Sequence, residues 1–187
     1  MSGKLIIVTA PSGAGKTTVV KHLLNTIPSL AFSVSATTRN KRENEVDGKD
    51  YYFLSNDAFK SKIASNEFVE WEEVYPGKFY GTLEGELSRL WKDGKNIIFD
   101  VDVKGALSLK NKYPEKTLSI FIQPPSLEIL IERLKKRATE TPETLKTRID
   151  RATLELNFHD RFDFSIVNDK LDITLQRAEE LVNNFLG

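Results

Sequence analysis

An α/β fold with a doubly wound parallel sheet is the reading that three observations support. Five short apolar runs, at 5–9, 31–34, 96–101, 118–122 and 164–167, have the length of strands buried on both faces. Segments of helical periodicity alternate with them, as expected where crossover helices join parallel strands. Helix starts are legible at Thr141-Pro142-Glu143, where an N-cap, a first-turn proline and an acid follow in order. Ser126 with Glu128, and Thr82 with Glu84 and Glu86, repeat the pattern in weaker form.

Two stretches break the rhythm. Between 36 and 81 lie strand-like fragments at 50–54 and 68–74, one short helix at 57–64, and turns at Asp47-Gly48 and Pro76-Gly77. That is the pattern of a small α+β insertion carried on the main sheet. A polar piece at 135–142 joins two helices. The chain is therefore read as one domain over 1–187. Its core is 1–35, 82–133 and 149–187, with an insertion at 36–81 and a helical lid at 134–148 placed to close over a substrate.

Composition sets limits on function. The 187 residues suffice for one buried core, and 40% hydrophobic with 29% charged is ordinary for a soluble domain. Basic and acidic residues balance at 27 each, so no long-range field favours a nucleic acid polymer and any anion site must be local. The absence of cysteine removes disulfides, thiolate metal sites and cysteine nucleophiles. The apolar run at 5–8 is too short for a signal peptide or a membrane span, so the cytoplasm is expected. His22 and His159, the only histidines, fall in helical patterns and read as surface or packing residues. Oligomeric state is open; a homo-oligomer is one option.

The chemistry begins at Ala10-Pro11-Ser12-Gly13-Ala14-Gly15-Lys16-Thr17-Thr18, between the first strand and a helix. The last three positions of the Walker A pattern are met, and Ala10 replaces its first glycine, a change tolerated where φ is negative. Glycines let successive N–H groups curl around phosphate oxygens at a helix N-terminus. Lys16 then reaches the β- and γ-phosphates of ATP, and the Thr17 hydroxyl ligates Mg²⁺. The bland alternative is a strand-to-helix turn; its context, with Lys-Thr in register, favours a P-loop NTPase fold. Asp100 and Asp102 end the third sheet strand with the period of one face, where carboxylates organise Mg²⁺-bound water or meet an acceptor. Their bland reading is a helix cap. Arg39 and Arg42 follow Ser35-Ala36-Thr37-Thr38 and suit a phosphate dianion, although composition alone also fits a solvated loop.

The chain resembles the guanylate kinase family over nearly its whole length and in the family's order. The segments that carry the likeness are 10–18, 33–39, 48–51, 67–71, 80–82, 100–102, 133–141 and 167–169. The resemblance implies transfer of the γ-phosphoryl group of ATP to GMP, with Mg²⁺ as cofactor and dGMP as a plausible second acceptor. It implies that Arg39, Arg42, Tyr51 and Tyr80 hold the GMP phosphate, with Glu45 in the same set. By the same resemblance Glu70 accepts from guanine N1–H and the 2-amino group, and Ser35 and Thr82 donate to O6. Asp100 and Asp102 are counted with the GMP set, and Asp100 also as a water-mediated Mg²⁺ ligand. Arg133, Arg137 and Arg148 are implied over the triphosphate, with Lys16, Arg42, Arg137 and Arg148 in the catalytic role. Asn168 and Asp169 resemble adenine-side residues. Arg151 has no evident family equivalent and reads as structural. Ala138 and Lys104 depart from the family's frequent glycine and glutamine. Two other readings stay open: a kinase for a different small acceptor on the same scaffold, and a binding module that keeps only the acceptor pocket.

Overall fold

The computed structural model describes residues 3–136 and 142–187. Its spine is a five-stranded parallel sheet in the order β2-β7-β1-β8-β9. The strands are β1 (Leu5–Thr9), β2 (Leu30–Phe32), β7 (Asn96–Asp100), β8 (Thr117–Gln123) and β9 (Phe164–Val167). Every pairing among them is parallel. In β1 the side chains alternate between two cores. Ile6 and Val8 pack with Val19, Leu23, Leu130 and Val182 on one face. Leu5 and Ile7 pack with Phe99, Leu87, Leu109 and Phe121 on the other. The helices that supply these faces are α1 (Lys16–Thr26), α3 (Glu84–Lys92), α4 (Val103–Lys112), α5 (Leu127–Lys135), α6 (Pro142–Leu156) and α7 (Leu171–Leu186). This is the expected doubly wound arrangement, and its five strands lie where the apolar runs fall.

The differences are local and have causes. The second strand starts and ends earlier than its apolar run. The Ser33 amide still bonds the Ile98 carbonyl, but the Val34 amide turns to the Glu86 carboxylate at 3.1 Å. Thr82 does not start a helix. It pairs opposite Glu70 in a hairpin, and α3 begins at Glu84, with Leu83 as its extended N-cap. Ser126 does cap α5, accepting from the Ile129 amide. The Thr141 cap lies outside the described residues. Helix α6 runs without a break from Pro142 through Leu156.

The insertion builds a second sheet in the order β4-β3-β6-β5, from β3 (Ala36–Thr37), β4 (Tyr52–Phe53), β5 (Phe68–Tyr75) and β6 (Lys78–Leu83). Helix α2 (Asn56–Ala64) covers it, capped by the Ser55 hydroxyl on the Ala58 amide. Its small core is Ala36, Phe59 and Phe68, with the two phenyl rings stacked at 4.3 Å. Gly81 is required in β6, because a Cβ there would stand 2.7 Å from the Glu70 carbonyl. Buried Glu86 ties this unit to the main sheet: it accepts from the Val34 amide, the Tyr52 hydroxyl and the Arg89 guanidinium.

Candidate functional site

The phosphate loop leaves the carboxyl end of β1, and its glycines carry the turn. Gly13 has φ 93° and Gly15 has φ 105°, a region that side-chain-bearing residues rarely enter. Gly15 is also tight in space: a Cβ there would meet the Asn168 amide nitrogen at 2.4 Å. Ala10 needs no such freedom, since Asn66 is the one non-glycine residue with positive φ among those described. Helix α1 starts at Lys16, and the Thr18 and Val19 amides both donate to the Gly15 carbonyl, so the free N–H groups of its first turn are those of Lys16 and Thr17.

Lys16 is pinned at the base of this loop. Its ammonium lies 2.7 Å from Asp100 Oδ1 and donates to the Val101 carbonyl at 2.9 Å. The Thr17 hydroxyl donates to the other Asp100 oxygen at 3.2 Å. Asp100 ends β7, directly beside β1, and register pairs it with Val8. Parallel pairing thus brings a carboxylate to the phosphate loop from a strand remote in sequence.

Two cavities meet at this point. The first is walled by the whole loop from Ala10 to Thr18 except Ala14, together with Arg148 and Arg151. The second is walled by Ser35 and by Glu70, Tyr80 and Gly81 of the insertion. Lys16, Tyr51, Val74, Asp100 and Asp102 line both. The sites expected for a phosphate donor and for an acceptor therefore open onto one another across Lys16 and Asp100.

On the acceptor side, Arg39 lies over the Tyr51 ring at 4.8 Å, and Tyr51 meets Tyr80 edge-on at 6.1 Å. Glu45 grips the Arg39 guanidinium, with Nη1 donating to Oε2 at 2.6 Å, and also accepts from the Arg42 amide at 2.8 Å. The hydrogen bond from Arg39 holds the Glu45 carboxyl down at about 2. Arg42 is exposed, and neither it nor Arg39 nor Glu45 lines either cavity in this structure. Deeper in, Glu70 is buried and its carboxyl is pushed up to about 7. Burial is the main cause; the nearby Asp102 charge adds to it, and the Thr82 hydrogen bond opposes it. The Thr82 hydroxyl donates to Glu70 Oε1 at 2.7 Å and is itself fully buried. A hydroxyl has one proton to give. In this structure Thr82 gives its proton to Glu70, and of the two hydroxyls expected at guanine O6 it is Ser35 that lines the cavity.

Several expected residues serve the loop from behind. The Asn168 amide donates to the Ala14 carbonyl at 2.8 Å, buttressing the loop, and Arg133 donates to the Asn168 carbonyl at 3.3 Å. Asp169 is exposed beside them. Neither Arg133, Asn168 nor Asp169 lines the phosphate cavity. Arg137 and Ala138 lie outside the described residues. Lys104 is exposed and pairs with Glu72 at 3.7 Å. His22 bonds Glu179 at 2.8 Å between α1 and α7, in keeping with a packing role. Arg151, expected to be structural, instead reaches the cleft wall: its guanidinium bonds Asp102 Oδ2 at 2.8 Å. Its place three residues after Arg148 on one helix face was the available signal. Asp102 also caps α4, accepting from the Gly105 amide at 2.8 Å, and lines both cavities.

A phosphate loop on a parallel sheet, facing an inserted acceptor-side sheet across a shared cleft, defines a nucleoside monophosphate kinase type of protein. The family model described as guanylate kinase matches residues 2–185. A guanylate kinase of Porphyromonas gingivalis is 48% identical over 185 residues, covering 98% of each chain. One from Chlorobium chlorochromatii is 48% identical over 186 residues, with 100% of this chain and 97% of that one covered. The crystal structure of guanylate kinase from Anaplasma phagocytophilum superposes with a TM-score of 0.77 at 30% identity, covering 98% of this chain and 86% of that chain. The chain belongs to the guanylate kinase family.

Proposed function

We propose that the shared cleft transfers the γ-phosphoryl group of ATP to GMP, with Lys16 at the point of transfer. The chain is a guanylate kinase-type phosphotransferase, and its products are ADP and GDP. One observation carries the assignment of roles: the Lys16 ammonium lies on the wall common to the donor and acceptor cavities. A phosphoryl group in flight between two nucleotides must pass that wall.

The GMP phosphate is already an anionic nucleophile, so the reaction needs no general base. One of its oxygens attacks the γ-phosphorus in line, the bond from that phosphorus to the β,γ-bridging oxygen breaks, and ADP departs with the electron pair. Lys16 and Arg148 offset charge spread over the transferring group, and the loop's N–H groups hold the donor phosphates. Arg137, outside the described residues, is assigned to the same task by family pattern. One arginine so placed is worth roughly 10³–10⁵ in rate. Arg39, fixed by Glu45, together with Arg42 and the Tyr51 and Tyr80 hydroxyls, receives the acceptor phosphate. Glu70 and Ser35 read the base, with Thr82 acting through Glu70.

Mg²⁺ fits the donor set. The Thr17 hydroxyl and Asp100 carboxylate are hard oxygen ligands 3.2 Å apart beside the loop. Among the described residues no three acidic or histidine side chains converge, so such an ion would rely on nucleotide oxygens and water for its other ligands. When bound with ATP it supplies charge neutralisation at the β- and γ-phosphates. No helix among the described residues is long and apolar enough to cross a membrane, and the proposed setting is the cytoplasm.

Substitution at Lys16 tests the division of labour. Lys16→Ala is expected to lower turnover by at least about 10²-fold, while GMP affinity measured by calorimetry stays within a few-fold. A loss of GMP affinity comparable to the loss of turnover would remove Lys16 from the donor side.

A further inference from the structure

Arg151 makes three contacts, one within its own helix and two with separate parts of the chain. Nη2 donates to Asp102 Oδ2 at 2.8 Å, Nη1 to the Val74 carbonyl at 2.6 Å, and Nε to Glu155 Oε1 at 2.7 Å. Its guanidinium also lies 5.3 Å from the Tyr75 ring centre. Only a planar fork with donors on several edges can satisfy acceptors so disposed. Helix α6, which carries Arg151, also carries Arg148 into the phosphate cavity. Val74 and Tyr75 belong to β5, the strand that carries Glu70. One side chain thus ties the phosphate-side helix to the strand that bears the base-reading carboxylate.

Asp102 needs such a partner. The position a Cβ on Gly105 would take lies 2.7 Å from Glu70 Oε2 and 3.2 Å from Asp102 Oδ1, so the two carboxylates crowd one point. The Asp102 charge adds to the upward push that burial gives the Glu70 carboxyl. A cation on the far side of Asp102 offsets the repulsion and fixes the rotamer, while the Gly105 amide holds the other oxygen. Each oxygen keeps lone-pair capacity toward the cavity.

We propose that Arg151 is a positioning residue for the acceptor base, holding the Asp102 carboxylate in the cavity wall beside Glu70 and anchoring helix α6 to strand β5. The inference rests on the reading of Glu70 as base-facing and of Asp102 as part of the GMP set, and the experiment separates the two. Steady-state constants for GMP and ATP are measured in Arg151→Met, Arg151→Lys, Asp102→Asn, Glu70→Gln and the Arg151→Met/Asp102→Asn double variant. Arg151→Met is expected to raise KM for GMP about tenfold, the scale of a lost hydrogen bond to a charged group, with KM for ATP within about twofold. Arg151→Lys keeps the charge but cannot span three acceptors, and falls between the two. In the Asp102→Asn background, Arg151→Met adds less than about twofold, because the interaction it removes is already gone. If Arg151→Met does not fold, the same comparison is made with Arg151→Lys against Asp102→Asn. An unchanged KM for GMP, or an undiminished effect in the Asp102→Asn background, overturns the role of Arg151 while leaving Glu70 in place. A Glu70→Gln variant with normal KM for GMP removes the base-facing reading, and the inference with it.

Discussion

At the scale of single residues, Glu70 is where structure and chemistry conflict most productively. It is a carboxylate buried next to another carboxylate, and without ligand its carboxyl sits near 7 instead of near 4.5. The consequence for stability has a definite sign. Between about 4.5 and about 7 the folded chain holds a proton that the unfolded chain has released, so stability of the nucleotide-free protein falls as pH rises through that window and levels off above it. Guanine presents two donors to this group, which accepts both only when ionised. GMP binding therefore strengthens as pH rises through about 7 and releases a proton from Glu70. Melting curves against pH, and calorimetry in buffers of different ionisation heat, read both effects. Glu70→Gln is expected to abolish the downward slope in melting temperature and to leave only the proton change that belongs to the GMP phosphate. The same slope in both proteins would mean that Glu70 is not the titrating group. None of this was visible from residue type: in a strand of alternating pattern, Glu70 reads as solvent-facing. Only the close approach of Gly81 and Gly105, neither of which leaves room for a Cβ, reveals how tightly it is enclosed.

At the scale of elements, what the sequence revealed depended on how local the causes are. Strand β1 was legible to the residue, because a strand buried on both faces writes itself as a continuous apolar run. Strand β9, an edge strand of the sheet with only Ile166 buried, matched its run without that cause. The inserted sheet was only partly legible. Strand β3 has two residues and no pattern of its own, and β6 interrupts its apolar residues with Gly81, a glycine explained by a neighbouring strand. Thr82 looked like a helix cap because capping is a local motif, whereas its pairing with Glu70 is set by the hairpin. The insertion has a small core of its own, centred on fully buried Phe59. Phe59→Ala should cost about 3–5 kcal/mol of that core's packing. Because Phe59 packs only within the insertion, the change is expected to raise KM for GMP well above that for ATP. Hydrogen exchange should quicken across 36–83 before the main sheet is affected. Equal exchange in both sheets would show that the two unfold as one body.

At the scale of the whole molecule, two binding surfaces of separate origin are brought to one line of contact. The phosphate loop comes from the first strand of the main sheet, and the base-reading groups come from the insertion and from Ser35 just before it. Asp100 and Asp102, at the end of β7, join them. Motif spacing alone identified the first surface. The second needed the ordered family likeness, since arginines and tyrosines at those spacings also describe a solvated loop. The Arg151 contacts to Asp102 and Val74 were out of reach of either, because they join elements that only the folded chain assembles. The central claim is that this cleft couples ATP to a guanine acceptor. The direct measurement is ADP release with ATP and Mg²⁺, with GMP, AMP, dTMP, CMP and UMP offered one at a time. Turnover with GMP, exceeding the others by roughly 10⁴-fold in kcat/KM, is the predicted result, because a buried Glu70 left unpaired rejects bases without the matching donors. Comparable turnover with another acceptor would discard the Glu70 and Ser35 pocket, and no turnover with any would reduce the cleft to a binding site.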